Sequence, residues 1–140
     1  MAQFLGKWNS VSMTNIEAVG KVLGFTDEMI KMYKESKWTF EFTKDGDKFS
    51  ITNESNNTPK STNTYEEGKE LVTKNSFGQC LKITIKFDSD SQMTVLEKME
   101  LPGGWKNMKL VRNVEGNKMT AVLEELESGA KMTQTFERCT

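Results

Sequence analysis

The sequence predicts an all-β fold of about ten short antiparallel strands, with one small helix pair inserted after the first strand. Three observations carry that prediction. Apolar and polar residues alternate with a period of two, as in Trp38, Phe40 and Phe42 or Leu81, Ile83, Ile85 and Phe87, which is the pattern of a sheet wetted on one face. Turn-forming residues punctuate the chain from residue 45 onward, roughly every dozen positions. One stretch, near residues 15–35, breaks the alternation with helical spacing.

The elements follow in order. A first strand covers residues 4–13. Thr14-Asn15-Ile16-Glu17 then has the form of a capping box. Ile16, Val19, Gly20 and Leu23 recur at helical spacing, and Gly24 can end that helix. Thr26 can cap a second helix, whose Asp27 and Glu28 complement its dipole. Met29, Met32 and Tyr33 form its apolar stripe, with Lys31 and Lys34 on another side. Turns are then expected at Asp45-Gly46-Asp47, Asn56-Asn57, Gly68, Ser76-Phe77-Gly78, Asp88-Ser89-Asp90-Ser91, Pro102-Gly103-Gly104, Glu115-Gly116-Asn117 and Ser128-Gly129. Strands in such a meander close into a barrel or fold into two packed sheets. A barrel of more than eight strands leaves an interior that its own side chains do not fill.

Composition narrows the function. The chain has 140 residues and a mass of 15.9 kDa, which suits a single domain over residues 1–140. Its 19 basic and 20 acidic side chains leave a net charge of −1, which excludes a general electrostatic nucleic-acid binder. There is no histidine, so Ser–His and Cys–His catalysis and His-ligated zinc are excluded. The cysteines, Cys80 and Cys139, build no disulfide framework. No strictly apolar run is longer than Ala121-Val122-Leu123, and the start of the chain has no signal-peptide core. A cytoplasmic monomer with reduced thiols is expected.

The informative residues are polar ones in phase with apolar faces. Met108, Leu110, Arg112 and Val114 share one parity, so Arg112 should point inward. A buried guanidinium is costly unless paired; its partner is a ligand carboxylate or an internal one. Met132, Gln134, Phe136 and Arg138 share one face of the last strand. Beside Arg112, Gln134 could hold a carboxylate, or alone a hydroxyl. Trp8, Trp38 and Trp105 are read as core or barrel-end packing. Lys21, Lys31, Lys34 and Lys37 surround the helix pair, as a solvated face or a weak contact for anionic membranes. Glu97, Glu100, Glu124 and Glu125 show no paired acid–base signature. Asp88-Ser-Asp90-Ser lacks the later residues of a calcium loop and reads as a hairpin turn.

Gly6-Lys7-Trp8, Asn15 before the helix pair, Asp45-Gly46-Asp47, Asn53-Glu54-Ser55 and Phe136-Glu137-Arg138, in that order and spacing, resemble the intracellular lipid-binding proteins. These are the cytosolic fatty-acid-binding and retinoid-binding proteins. The resemblance runs over essentially the whole chain. It implies a ten-strand antiparallel up-and-down β-barrel (clam) with a helix-turn-helix lid over about residues 15–35. It also implies reversible, non-catalytic binding of a long-chain fatty acid or other hydrophobic molecule, with no cofactor and no metal. Many members hold a carboxylate with two arginines and a tyrosine near the chain end. Arg112 matches the first arginine, while Gln134 stands for the second and Phe136 for the tyrosine. Gln134 with Phe136 is similar to the retinol-binding branch, so retinol, another retinoid or a bile acid is the alternative ligand. The resemblance makes Ile16, Val19, Gly20, Leu23, Met29, Met32, Tyr33 and Asn57 the lid and portal. Asn57 and Thr58 depart from the usual portal pair, and Phe77 and Gln79 from a usual charged pair.

Overall fold

The computed structural model describes residues 1–75 and 78–139. The expected turn at Ser76-Phe77 and the departure at Phe77 lie outside the described residues. A short 3₁₀ turn over Ala2–Phe4 replaces the start of the expected first strand, and β1 runs over Gly6–Thr14. The helices α1 (Ile16–Val22) and α2 (Asp27–Glu35) follow. Then come β2 (Trp38–Asp45), β3 (Lys48–Ser55), β4 (Thr58–Glu66), β5 (Leu71–Lys74), β6 (Cys80–Ser89), β7 (Gln92–Leu101), β8 (Gly104–Glu115), β9 (Lys118–Glu125) and β10 (Lys131–Arg138).

The strands form one antiparallel sheet in the order β4-β3-β2-β1-β10-β9-β8-β7-β6-β5. Every strand pairs with its chain neighbours except β4 with β5, and β1 pairs with β10 to bring the chain ends together. The sheet is a nearly closed barrel whose open seam lies between β4 and β5. There the Thr73 hydroxyl donates to Asn63 Oδ1 at 3.2 Å. Asp45-Gly46-Asp47 closes the β2–β3 hairpin with Gly46 at φ 60, a conformation that favours glycine.

One end of the barrel is filled. Phe4, Trp8, Phe42, Met93 and Met119 have at most 1% of their surface exposed. Phe4 packs on Phe42 and Phe87 with ring centroids 5.8 and 5.9 Å apart. The Trp8 indole N–H donates to the Phe4 carbonyl at 2.9 Å, so this buried ring leaves no polar group unmet. Arg138 lies over Trp8 at 4.2 Å and donates to the carbonyls of Leu5 and Gln3. Its role is to fasten the chain ends. Trp105, beside the β7–β8 turn, is 39% exposed beneath Lys82, so of the expected core or barrel-end settings it does not take the core one.

The helix pair covers the other end. Thr26 caps α2 as expected, its hydroxyl accepting from the Met29 N–H at 3.1 Å. The expected capping box at Thr14 is not formed. Asn15 is the N-cap in a left-handed conformation, and its amide donates to the Lys131 carbonyl at 2.7 Å. Thr14 remains the last residue of β1, paired with Thr133. The α2 stripe is also wider than expected: Ile30 is its buried residue, while Met29, Met32 and Tyr33 are half-buried. Gly20 lets the helices meet, since a Cβ there would lie 2.9 Å from Ile30 Cγ1. Lys34 pairs with Glu17 across the two helices.

Candidate functional site

Between the filled end and the lid lie two interior compartments. The inner one, about 210 Å³, is lined by Phe40, Tyr65, Ile83, Glu97 and Arg112 among others. The lid compartment, about 160 Å³, is lined by Ile16, Val19, Leu23, Phe25, Tyr33, Glu97 and Met132 among others. Leu81 and Glu97 belong to both, so the compartments adjoin. Together they reach the lower end of the roughly 300–1,000 Å³ typical of ligand pockets. A larger groove of about 630 Å³ carries charged side chains such as Glu70, Lys82, Lys98 and Glu127. Leu96, Met108 and Leu126 also line it, and Glu97 and Met108 border it as well as the interior.

Strand phase brings Arg112 inside, with 7% of its surface exposed. Its guanidinium carbon lies 4.9 Å from the Phe40 ring, 5.9 Å from Phe42 and 5.8 Å from Phe136. The ring faces give back part of the lost hydration. They do not replace a hydrogen bond, and Arg112 Nη1 is buried without a partner. Burial lowers its pKa to about 10, opposed by Tyr65 and then by Glu97. Arg112 is therefore charged at neutral pH. This is an anion-seeking group held in an aromatic cage.

Gln134 sits in the same row. Arg112 pairs with Ala121 and Ala121 with Gln134, a separation of about 10 Å across two strand spacings. Its side chain lines a separate cleft of about 430 Å³ with Ser10, Ser12, Tyr33 and Trp38. The row thus brings Arg112 and Phe136 into contact and leaves Gln134 on the neighbouring wall. Trp38 Nε1 is a second buried donor without a partner.

The lid residues divide. Ile16, Val19, Leu23 and Tyr33 line the lid compartment. Gly20 serves helix contact, and Met29 and Met32, on α2, lie outside that lining. Tyr33 stacks between Phe25 and Trp38, at 5.4 and 5.9 Å. Asn57, in the β3–β4 turn, donates from its amide to Ser36 Oγ at 3.0 Å, and the Lys37 N–H donates to Asn56 Oδ1 at 2.8 Å. The turn is thereby tied to the end of α2.

Sequence reasoning missed Glu97. It shares the parity of Met93, Val95 and Met99, all buried, and that alternation was the available signal. Glu97 itself is half-buried and lines the outer groove as well as both interior compartments. Burial raises its pKa to about 7, against the pull of Arg112. Tyr65, 7% exposed, is raised to about 12 by burial and by Glu97, and stays neutral. A fully buried carboxylate, Glu125, accepts the N–H groups of Glu127 and Ser128 and shapes the β9–β10 turn. Among the described residues no cluster of acidic or cysteine side chains could hold a metal ion, and no helix is long and apolar enough to cross a membrane.

No family model matches the chain. Fatty acid-binding protein 1 of Fasciola gigantica is 32% identical over 121 residues, covering 86% of this chain and 88% of that protein. The liver-type fatty acid-binding protein of Takifugu rubripes is 34% identical over 98 residues, covering 69% of this chain and 77% of that protein. Among solved structures, a Schistosoma mansoni fatty acid binding protein in complex with arachidonic acid superposes with a TM-score of 0.88 at 26% identity, covering 100% of this chain and 98% of that one. The apo lipid binding protein 8 of Caenorhabditis elegans shares the fold, with a TM-score of 0.85 at 15% identity, covering 99% of this chain and 97% of that one.

Proposed function

The chain belongs to the fatty-acid-binding protein family, and from that premise we propose that it is a non-catalytic intracellular carrier of long-chain fatty acids, with the ligand carboxylate held by Arg112. The observation that supports this reading is the buried, caged guanidinium with Nη1 lacking a hydrogen-bond partner. A carboxylate would supply the missing acceptor and offset a desolvation cost of several kcal/mol.

Affinity and orientation come from different parts of the ligand. Each methylene moved from water into the cavity contributes about 0.8 kcal/mol. A long acyl chain therefore gains on the order of 10 kcal/mol before ordering costs. The charge-assisted bond to Arg112 adds about 1.5–3 kcal/mol. Arg112 thus sets polarity and preference, while the tail drives binding. Gln134, on the same row, lines a separate cleft, so the carboxylate contact rests on Arg112 alone. Lys21 and Lys37 at the lid suit transient contact with an anionic membrane surface, because Lys31 and Lys34 are drawn to Glu35 and Glu17.

A second reading is a carrier of retinol or another bulky apolar ligand, favoured by Gln134 and by the Phe136 ring inside the barrel. Displacement of a fluorescent fatty-acid probe by oleate, retinol and a bile acid separates the two. Oleate should displace best, and Arg112→Ala should weaken it about tenfold or more. Retinol competing better, with the variant unaffected, would establish the second reading. Failure of the probe and all competitors to bind would overturn both.

A further inference from the structure

The carrier reading leaves one ionisable group in the cavity unused. Glu97 lies on β7 opposite Ile83 of β6 and Met108 of β8. It borders both interior compartments, so a chain passing from one to the other passes its carboxyl group. Arg112 does not neutralise it. The two interact through space only, and no hydrogen bond contributes to the state of either group. The charged and titratable groups that share a cavity with Glu97 are Arg112 from β8, Tyr65 from β4, Lys74 from β5 and Tyr33 from α2 in the interior, and Glu70, Lys82, Lys98 and Glu127 along the outer groove.

Register fixes where along a ligand Glu97 would lie. Arg112 is opposite Met93, and Glu97 is four residues further along β7, about 13 Å of strand. A lipid with its carboxylate at Arg112 and its tail under the lid meets Glu97 part-way down its chain. A plain methylene chain there would strip water from the carboxyl group and offer nothing in return. A chain hydroxyl both donates and accepts. It can therefore satisfy Glu97 in either protonation state and still meet the Tyr65 hydroxyl.

We propose that Glu97 is a second polar subsite within the cavity, and that the preferred ligand is a long-chain fatty acid carrying a hydroxyl part-way along its chain. The carboxylate binds at Arg112 and the hydroxyl at Glu97. This rests on the carrier reading given above.

The test is the affinity of oleate and of ricinoleate, its mid-chain hydroxylated counterpart, for the full chain and for Glu97→Leu, Glu97→Gln and Arg112→Ala. The wild type should bind ricinoleate about tenfold more tightly than oleate. Glu97→Leu should reverse that order by tightening oleate and weakening ricinoleate. Glu97→Gln, which keeps a donor and an acceptor, should retain part of the preference. Arg112→Ala should weaken both ligands by a similar factor. Equal affinities in the wild type, with Glu97→Leu shifting both ligands alike, would overturn the subsite and leave the carrier reading standing. Binding of neither ligand to the wild type would overturn the carrier reading, and the subsite with it.

Discussion

Arg112 and Glu97 occupy one cavity and respond oppositely to burial. Removal from water lowers the Arg112 pKa to about 10 and raises that of Glu97 to about 7, and their mutual attraction opposes both shifts. The consequence for stability has a definite sign. An unfolded Glu97 titrates near 4.5 and the folded one near 7, so the folded chain holds its proton more tightly. The stabilising contribution is full below about pH 4.5 and is lost as pH rises through about 7. Glu97→Gln should therefore stabilise the protein near pH 8, by on the order of 2 kcal/mol, and have much less effect near pH 4. Urea unfolding at the two pH values measures this, and an equal effect at both would contradict it. Arg112 was legible in the sequence because one strand's parity suffices to turn a residue inward. Glu97 was equally legible on those terms. A search for paired carboxylates does not find it, because the charge it interacts with in this cavity is an arginine on the adjacent strand.

At the scale of elements, the lid is secured at two contacts that behave differently. The first is the helix–helix contact at Gly20, where any side chain meets Ile30. Gly20→Val should cost about 2 kcal/mol by forcing the helices apart, read from chemical denaturation; an unchanged midpoint would mean the helices yield freely. The second is the tie between the β3–β4 turn and α2 through Asn57 and Ser36. It closes the way in without lining the cavity. Asn57→Ala should raise the association and dissociation rates of oleate together, several-fold, and leave Kd nearly unchanged. Stopped-flow mixing with a fluorescent fatty acid checks this, and unaltered rates would place the gate elsewhere. The strands were readable because each has one wet and one dry face. The start of α1 was not. Thr14 satisfied a local capping pattern, but its pairing with Thr133 keeps it in β1 and leaves Asn15 to begin the helix. A contact between chain ends outweighs a local preference there.

At the scale of the molecule, the barrel divides into a packed end and a hollow end beneath the lid. Aromatic and methionine side chains fill the former around Trp8. The lid and the β4–β5 seam bound the latter. Hydropathy alternation specifies how many strands there are and which face is inward, but it carries no term for the bonding between particular strands, so the seam was not readable from the sequence. Nor was the split between an Arg112 compartment and a Gln134 cleft, which depends on where side chains lean after the barrel closes. The central claim is that a fatty acid lies inside with its carboxylate against Arg112. The most direct test is ¹³C NMR of carboxyl-labelled oleate bound to the protein, followed across pH. The carboxylate should give one resonance that does not protonate over the ordinary carboxylate range, because the guanidinium favours its charged form. Arg112→Ala should restore titration within that range. A resonance in the wild type that titrates like a solvent-exposed fatty acid would contradict the account.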